Sequence, residues 1–179
     1  MKKMSLVLSM FLLVTPTFAH EHHSKGLSAH EHGAIKLEIA VEGKTIEIDL
    51  DGPAESFIGF EYKPTTEKEK KTFNDAESLW TKDLLTKLFV LDKKLGCMSS
   101  EVTFKQEIEE DKSKDAKKES GIHSEIEAKA KITCAQDLKG QKVLVSVKKH
   151  YPHIRKLTLD LVGSETKSIE AKATEEIKL

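Results

Sequence analysis

AIKLEIAVEGKTIEIDL, residues 34–50, sets the architecture of the chain. Ile35, Leu37, Ile39 and Val41 alternate with Ala34, Lys36, Glu38 and Ala40. In an extended chain that period of two puts the apolar side chains on one side and the polar ones on the other. Ile46, Ile48 and Leu50 repeat the pattern against Glu47 and Asp49. Glu42-Gly43-Lys44 between them is a tight turn, so the stretch predicts a hairpin with one buried face and one wet face. Asp51-Gly52-Pro53 ends it.

Downstream, Ala54 to Phe60 is apolar and predicts a short helical turn packed under the sheet. Pro64-Thr65-Thr66 opens a longer helix, because Thr66 and Glu69 have the spacing of a capping box. Phe73, Ala76, Trp80 and Leu84 fall on one helical stripe, the expected buried face. A shorter helical piece runs on to Phe89, and Gly96 and Cys97 close this insert. Val102, Phe104 and Gln106 start another strand. Residues 107–119 carry six acids and four lysines, which predicts a charged mobile loop over 107–121. Ile122, Ser124, Ile126, Ala128, Ala130, Ile132 and Cys134 then share one strand face, and His123, Glu125, Glu127, Lys129 and Lys131 the other. Val143, Val145 and Val147 alternate, as do Leu157, Leu159 and Leu161. Tyr151-Pro152-His153 is a turn, and Ile169 and Ile177 sit in short final segments. The expected fold is α+β over residues 33–179, with a mainly antiparallel sheet and the helical insert on one face.

Upstream of the hairpin lie two segments of a different kind. Met1-Lys2-Lys3 is basic, residues 4–14 form an apolar run, and Thr17 and Ala19 are small. This is the pattern of a secretory signal peptide, residues 1–19, cleaved after Ala19. The run is too short for a membrane span, and no second run follows. The chain has a formal net charge of −1; removing residues 1–19 takes two lysines and no acid, leaving −3. That dispersed charge gives no electrostatic footprint for nucleic acid. In an exported chain the two cysteines, Cys97 and Cys134, predict one disulfide.

Residues 20–32 form a flexible His-rich segment. Five of the eight histidines fall here: His20, His22, His23, His30 and His32. Ala19-His20-Glu21-His22 recurs as Ala29-His30-Glu31-His32. In an extended chain a His-x-His pair presents two imidazoles to the same side, so the tract predicts metal binding. Ligand type alone does not separate zinc from copper or nickel. Extending the first strand backward by parity puts His30 and His32 on its polar face, and His123 occupies the polar face of its own strand. If those two strands lie side by side, the three histidines converge on one ion, with Glu125 or Glu31 completing a tetrahedral set. His20, His22 and His23 read as weaker capture ligands in a segment without fixed backbone. His150 and His153, three residues apart, read as surface histidines of a turn. Protons compete with metal for neutral imidazole, so such binding weakens as pH falls through the ordinary imidazole range, about 6.5.

Five segments carry a family resemblance: AHEHGAIKLEIAVEG, IEIDLDGPAESFIGFEYKPTTEKEK, LGC, IHSEIEAKAKITC and HYPHIRKLTLDLVG. Together they resemble the periplasmic zinc uptake proteins of the ZrgA type, over essentially the whole mature chain. The resemblance implies an exported protein that binds Zn2+ in the periplasm and helps an uptake transporter acquire it. It carries over His30, His32 and His123 as ligands. Two departures point to a lower zinc capacity: the loop before His123 holds no histidine, and Tyr62 stands where relatives often have one.

Two other classes compete with a zinc-binding uptake protein. A zinc-dependent hydrolase of the zincin kind needs His-Glu-x-x-His on a helix, and no His-x-x-x-His pair occurs in the chain. No Gly-x-Ser-x-Gly elbow or phosphate loop occurs either, so the chain is read as no enzyme. An exported adaptor with incidental histidines is the other class; it would bind no metal at micromolar zinc.

Overall fold

The computed structural model describes residues 33–109, 123–163 and 166–179. The expected signal peptide and His20, His22, His23, His30 and His32 lie outside the described residues. The hairpin forms as its pattern requires. Strand β1 (Ala34–Glu42) pairs antiparallel with β2 (Thr45–Pro53), with Leu37 opposite Leu50 and Ile39 opposite Ile48. All four side chains are buried.

Helix α1 (Glu55–Ile58) follows at once and buries Ser56, Phe57 and Ile58. Helix α2 (Glu67–Lys82) starts at the expected capping box: Thr66 accepts from the Glu69 backbone N–H, and the Glu69 carboxylate accepts from the Thr66 N–H at 2.9 Å. Its stripe buries Ala76 and Trp80. A wide helical turn at Leu84–Leu88 continues it. The insert also holds strand β3 (Phe89–Leu91), where helix was expected as far as Phe89. Phe89 and Leu91 are β-competent, and the ladder with a later strand decides their conformation.

Strand β4 (Met98–Glu109) is longer than the charged composition suggests. Residues 107–109 were expected in the mobile loop and instead extend the strand. Glu107 pairs with Glu125, Ile108 with Ser124 and Glu109 with His123, so backbone pairing overrides local charge. The rest of the expected loop, 110–122, lies outside the described residues. Strand β5 (His123–Thr133) keeps the alternation read from the sequence, with Ser124, Ile126, Ala128, Ala130 and Ile132 buried. The Cys97–Cys134 disulfide ties the residue before β4 to the residue after β5.

The remaining elements are β6 (Lys142–Val145), α3 (Val147–His150), β7 (Lys156–Val162), β8 (Lys167–Glu170) and β9 (Glu175–Lys178). Val147, expected to continue the strand alternation, is instead the first residue of α3 and is fully buried. Two sheets result. Six strands run β4-β5-β2-β1-β7-β8, and three run β3-β6-β9. Among the described pairings only β1 with β7 is parallel, so the sheets are mainly antiparallel and the fold is α+β.

The large sheet has one wet face, where Lys129 pairs with Asp49 at 3.0 Å and Lys36 with Asp160 at 3.0 Å. Its other face carries the core. Trp80 is fully buried, donates to the Lys129 carbonyl at 3.2 Å and meets Phe89 edge-on at 6.0 Å. Phe57 meets both Phe104 and Tyr151 edge-on, at 6.2 and 5.3 Å. The Tyr151 hydroxyl donates to the Ala76 carbonyl at 3.0 Å, and burial pushes that phenol well above its ordinary range. These contacts seat α1, α2 and Tyr151 on the core face and fix the turn that follows each.

Candidate metal centre

One end of the large sheet gathers the residues of interest. β2 is antiparallel to both its neighbours, so β1 and β5 run in the same direction with β2 between them. The strands carrying the His-Glu-His-Gly lead-in and His123 are therefore not side by side. They stand two strand spacings apart, about 9.6 Å. Their register is level nonetheless. Lys36 lies opposite Asp51, and Asp51 lies opposite Glu127, so both strands begin at the same edge of the sheet. β7 begins there too, with Ala34 beside Lys156.

His123 opens β5 on the wet face, its side chain 63% exposed. Its Nδ1 lies 3.0 Å from Glu61 Oε2, and the Glu61 side chain is only 17% exposed. The turn bearing Glu61 is held from several sides. Gly59 caps α1 in the left-handed region at φ 83°, with its N–H donating to the Glu55 carbonyl. Gln106 donates to the Tyr62 carbonyl at 3.1 Å and to the Ser124 hydroxyl at 2.9 Å. The Tyr62 hydroxyl donates to Glu69 at 3.1 Å, and its ring stacks on Phe60 at 5.0 Å. A carboxylate held this way accepts from an imidazole Nδ1–H, and the opposite ring nitrogen then keeps its lone pair for a ligand. A carboxylate–imidazole pair of this kind is the usual support of a zinc-binding histidine. Glu125 follows two residues on, on the same face of β5, opposite Pro53.

The lead-in meets the sheet at Gly33, which adopts φ 79°. Its carbonyl accepts from the N–H groups of Arg155 and Lys156, both at 2.9 Å. The positive φ favours Gly after His-Glu-His, and a Cβ here would lie 2.6 Å from Arg155 Nε, so the Arg155 side chain would have to move. Beside it is a cleft of about 330 Å³ lined by Gly33, Glu55, Ser56, Pro152, His153 and Arg155.

The two C-terminal histidines part company. His150 ends α3 near Lys87 and Asp83; burial first, then Lys149 and Lys87, hold its pKa below the ordinary value. His153 lies in the following turn, against Gly59: a Cβ there would be 3.3 Å from His153 Nε2. Among the described residues no three His, Cys, Asp or Glu side chains come together as a metal cluster. Both cysteines are in the disulfide. No helix among the described residues is long and apolar enough to cross a membrane.

Sequence reasoning missed Glu61 and the placement of His153. The first is separated from its partner by 62 residues, and no local period encodes such a contact. The signal that was present is the Gly59-Phe60-Glu61 turn, one of the segments carrying the resemblance.

Residues 29–177 match the family described as ZrgA family zinc uptake protein. The chain belongs to the ZrgA family. A search of curated proteins finds no match. Membership ties this chain to zinc, and the His-Glu-His-Gly lead-in, the Gly59–Glu61 turn and the β5 strand all fall within the matched span.

Proposed function

We propose that this chain is a periplasmic zinc-binding protein, without enzymatic activity, that captures Zn2+ and passes it to an uptake transporter. It is exported by its first 19 residues and cleaved after Ala19. Zinc is the cargo. The primary ligands are His30, His32 and His123, with Glu125 or Glu31 as the oxygen donor. His20, His22 and His23 capture zinc weakly ahead of that site.

The observation that carries this reading is the His123–Glu61 pair, a carboxylate-oriented imidazole, at the edge of the sheet where the His-Glu-His-Gly lead-in ends. Membership of a zinc uptake family names the ion. The intervening β2 does not defeat convergence. Residues His30 and His32 precede Ala34 by four and two positions, and two extended residues reach about 7 Å. That reach, with an imidazole at each end, is comparable to the gap of two strand spacings. A ligand set drawn from a lead-in and a strand end binds with less preorganisation than a closed structural site. Such a site suits cargo that has to leave again.

The test is zinc titration of the mature protein against a chromophoric chelator, with His30→Ala, His32→Ala and His123→Ala measured beside the parent. Each substitution is expected to weaken the same site. A His123→Ala protein binding zinc as tightly as the parent would leave the metal to the N-terminal segment alone.

A further inference from the structure

Two polar residues interrupt the apolar face of β4 and β5 at the end of the sheet where His123 stands. Gln106 lies opposite Ile126, which is fully buried, so Gln106 shares the core face with it and with Phe104. Ser124 is on that face too, two residues before Ile126, and is itself buried. Polar groups in such positions are costly unless they are bonded. The Gln106 side-chain amide has two N–H groups, and both are used: Nε2 donates to the Tyr62 carbonyl at 3.1 Å and to the Ser124 hydroxyl at 2.9 Å. Tyr62 is the residue after Glu61, and Ser124 is the residue after His123. One amide therefore joins the chain neighbours of the two residues that form the carboxylate–imidazole pair. The Ser124 carbonyl in turn accepts from the Ala54 N–H at 2.8 Å. Residues 54–62 are thus tied to Ser124 at both ends, directly at Ala54 and through Gln106 at Tyr62.

From this linkage we propose that Gln106 is a positioning residue for zinc binding at His123. It is no ligand; it fixes the spacing between the Glu61 turn and the start of β5, so that Glu61 Oε2 meets His123 Nδ1. The proposal rests on the zinc-binding reading above and deepens it. The need for such a tie follows from exposure. The His123 side chain is 63% exposed, so packing does little to aim its ring, and the aim depends on where Glu61 sits. The Tyr62 ring is held by Phe60 and by Glu69 of α2, which fixes the turn to the helices. The Gln106 bonds fix it to the sheet. With both in place the imidazole is oriented before an ion arrives, which reduces the ordering cost of binding. A residue that served only to bond the buried Ser124 hydroxyl would stabilise the fold without acting through Glu61.

The test uses the full mature chain and zinc alone. Gln106→Met keeps the length of the side chain and removes both donors. Imidazole nitrogen NMR of the zinc-free protein at about pH 8, where the ring is neutral, reads which His123 nitrogen carries the proton. Chelator competition gives zinc affinities for the parent, Glu61→Gln, Gln106→Met and the double variant, and thermal melts check that each is folded. In zinc-free Gln106→Met, His123 is expected to pass from one tautomer, with the proton on Nδ1, to a mixture. Zinc affinity should fall about three- to tenfold, and the double variant should bind about as well as Glu61→Gln alone, because both changes remove the same support. Should Gln106→Met melt far below the parent, Ser124→Ala, which removes one of the two bonds, carries the same comparison. An unchanged His123 tautomer, or losses that simply add in the double variant, would overturn the positioning role and leave the proposed function intact. A parent with His123 held in one tautomer that binds no zinc would overturn the proposed function and with it the role of Gln106 in zinc binding, while the linkage to His123 would stand.

Discussion

His123 Nδ1 is bonded to Glu61 Oε2 at 3.0 Å, joining the first residue of β5 to the turn after α1 across 62 positions of sequence. Glu61 holds a single edge of the imidazole, and α1, Gln106 and Glu69 hold Glu61's turn. The exposed nitrogen is thereby presented rather than free to rotate.

Glu61→Gln keeps the size of the side chain and removes the charge. It should lower zinc affinity at the His123 site by about 10–100-fold, the usual cost of losing an orienting carboxylate. The melting temperature should barely move, because the substitution keeps the side chain's volume and His123, its partner, is largely exposed. Chelator competition beside a thermal melt separates the two effects; an unchanged affinity would make Glu61 a bystander.

Removing residues 20–28 should reduce the zinc bound at saturation and leave the tightest site in place. The deletion takes His20, His22 and His23 and spares His30 and His32. Metal analysis of dialysed protein at rising zinc gives the stoichiometry. Loss of the tightest site would shift the primary ligands into the deleted stretch.

Reducing Cys97–Cys134 should destabilise the fold by about 3–4 kcal/mol in the chain-entropy model. The bridge joins residues 37 apart in sequence and pins the far end of the β4–β5 pair, away from His123. Urea unfolding with and without reductant measures the loss. Zinc affinity of the reduced protein, under conditions where it remains folded, should be close to that of the oxidised form.

The capping box gives α2 a pH dependence. Backbone N–H groups of Thr66 and Thr65 hold the Glu69 carboxyl down at about 2, from an ordinary 4.5. A depressed carboxyl stabilises the fold above its unfolded value, and that contribution is lost as pH falls from about 4.5 towards 2. Thr66→Ala should cost about 1 kcal/mol at neutral pH. Glu69→Gln should flatten the acid limb of the stability curve, read by helical circular dichroism between pH 5 and 2 (a range set by the two values above).

Trp80→Ala should cost about 3–5 kcal/mol, since it empties a fully buried site and removes a donor to the Lys129 carbonyl. Denaturant unfolding followed by circular dichroism measures it. A loss under 1 kcal/mol would mean that α2 contributes little to the core.

The local alternations were legible from residue order. The period of two in residues 34–50 specified β1, β2 and their buried faces, because side-chain parity is a property of the extended backbone alone. Thr66 and Glu69 likewise specified where α2 begins, because a capping box closes within three residues. The even pair of cysteines, read together with the expected export signal, pointed to the disulfide. Which element lies beside which emerged with the three-dimensional fold. It put β2 between β1 and β5, drew β3 out of the helical insert to meet β6, and carried β4 through Glu107 by pairing it with β5. It also set Glu61 under His123 and His153 against Gly59. The physical reason is range: periodicity and capping act over a few residues, whereas strand order and side-chain convergence depend on how distant segments exclude water together, which no single stretch encodes.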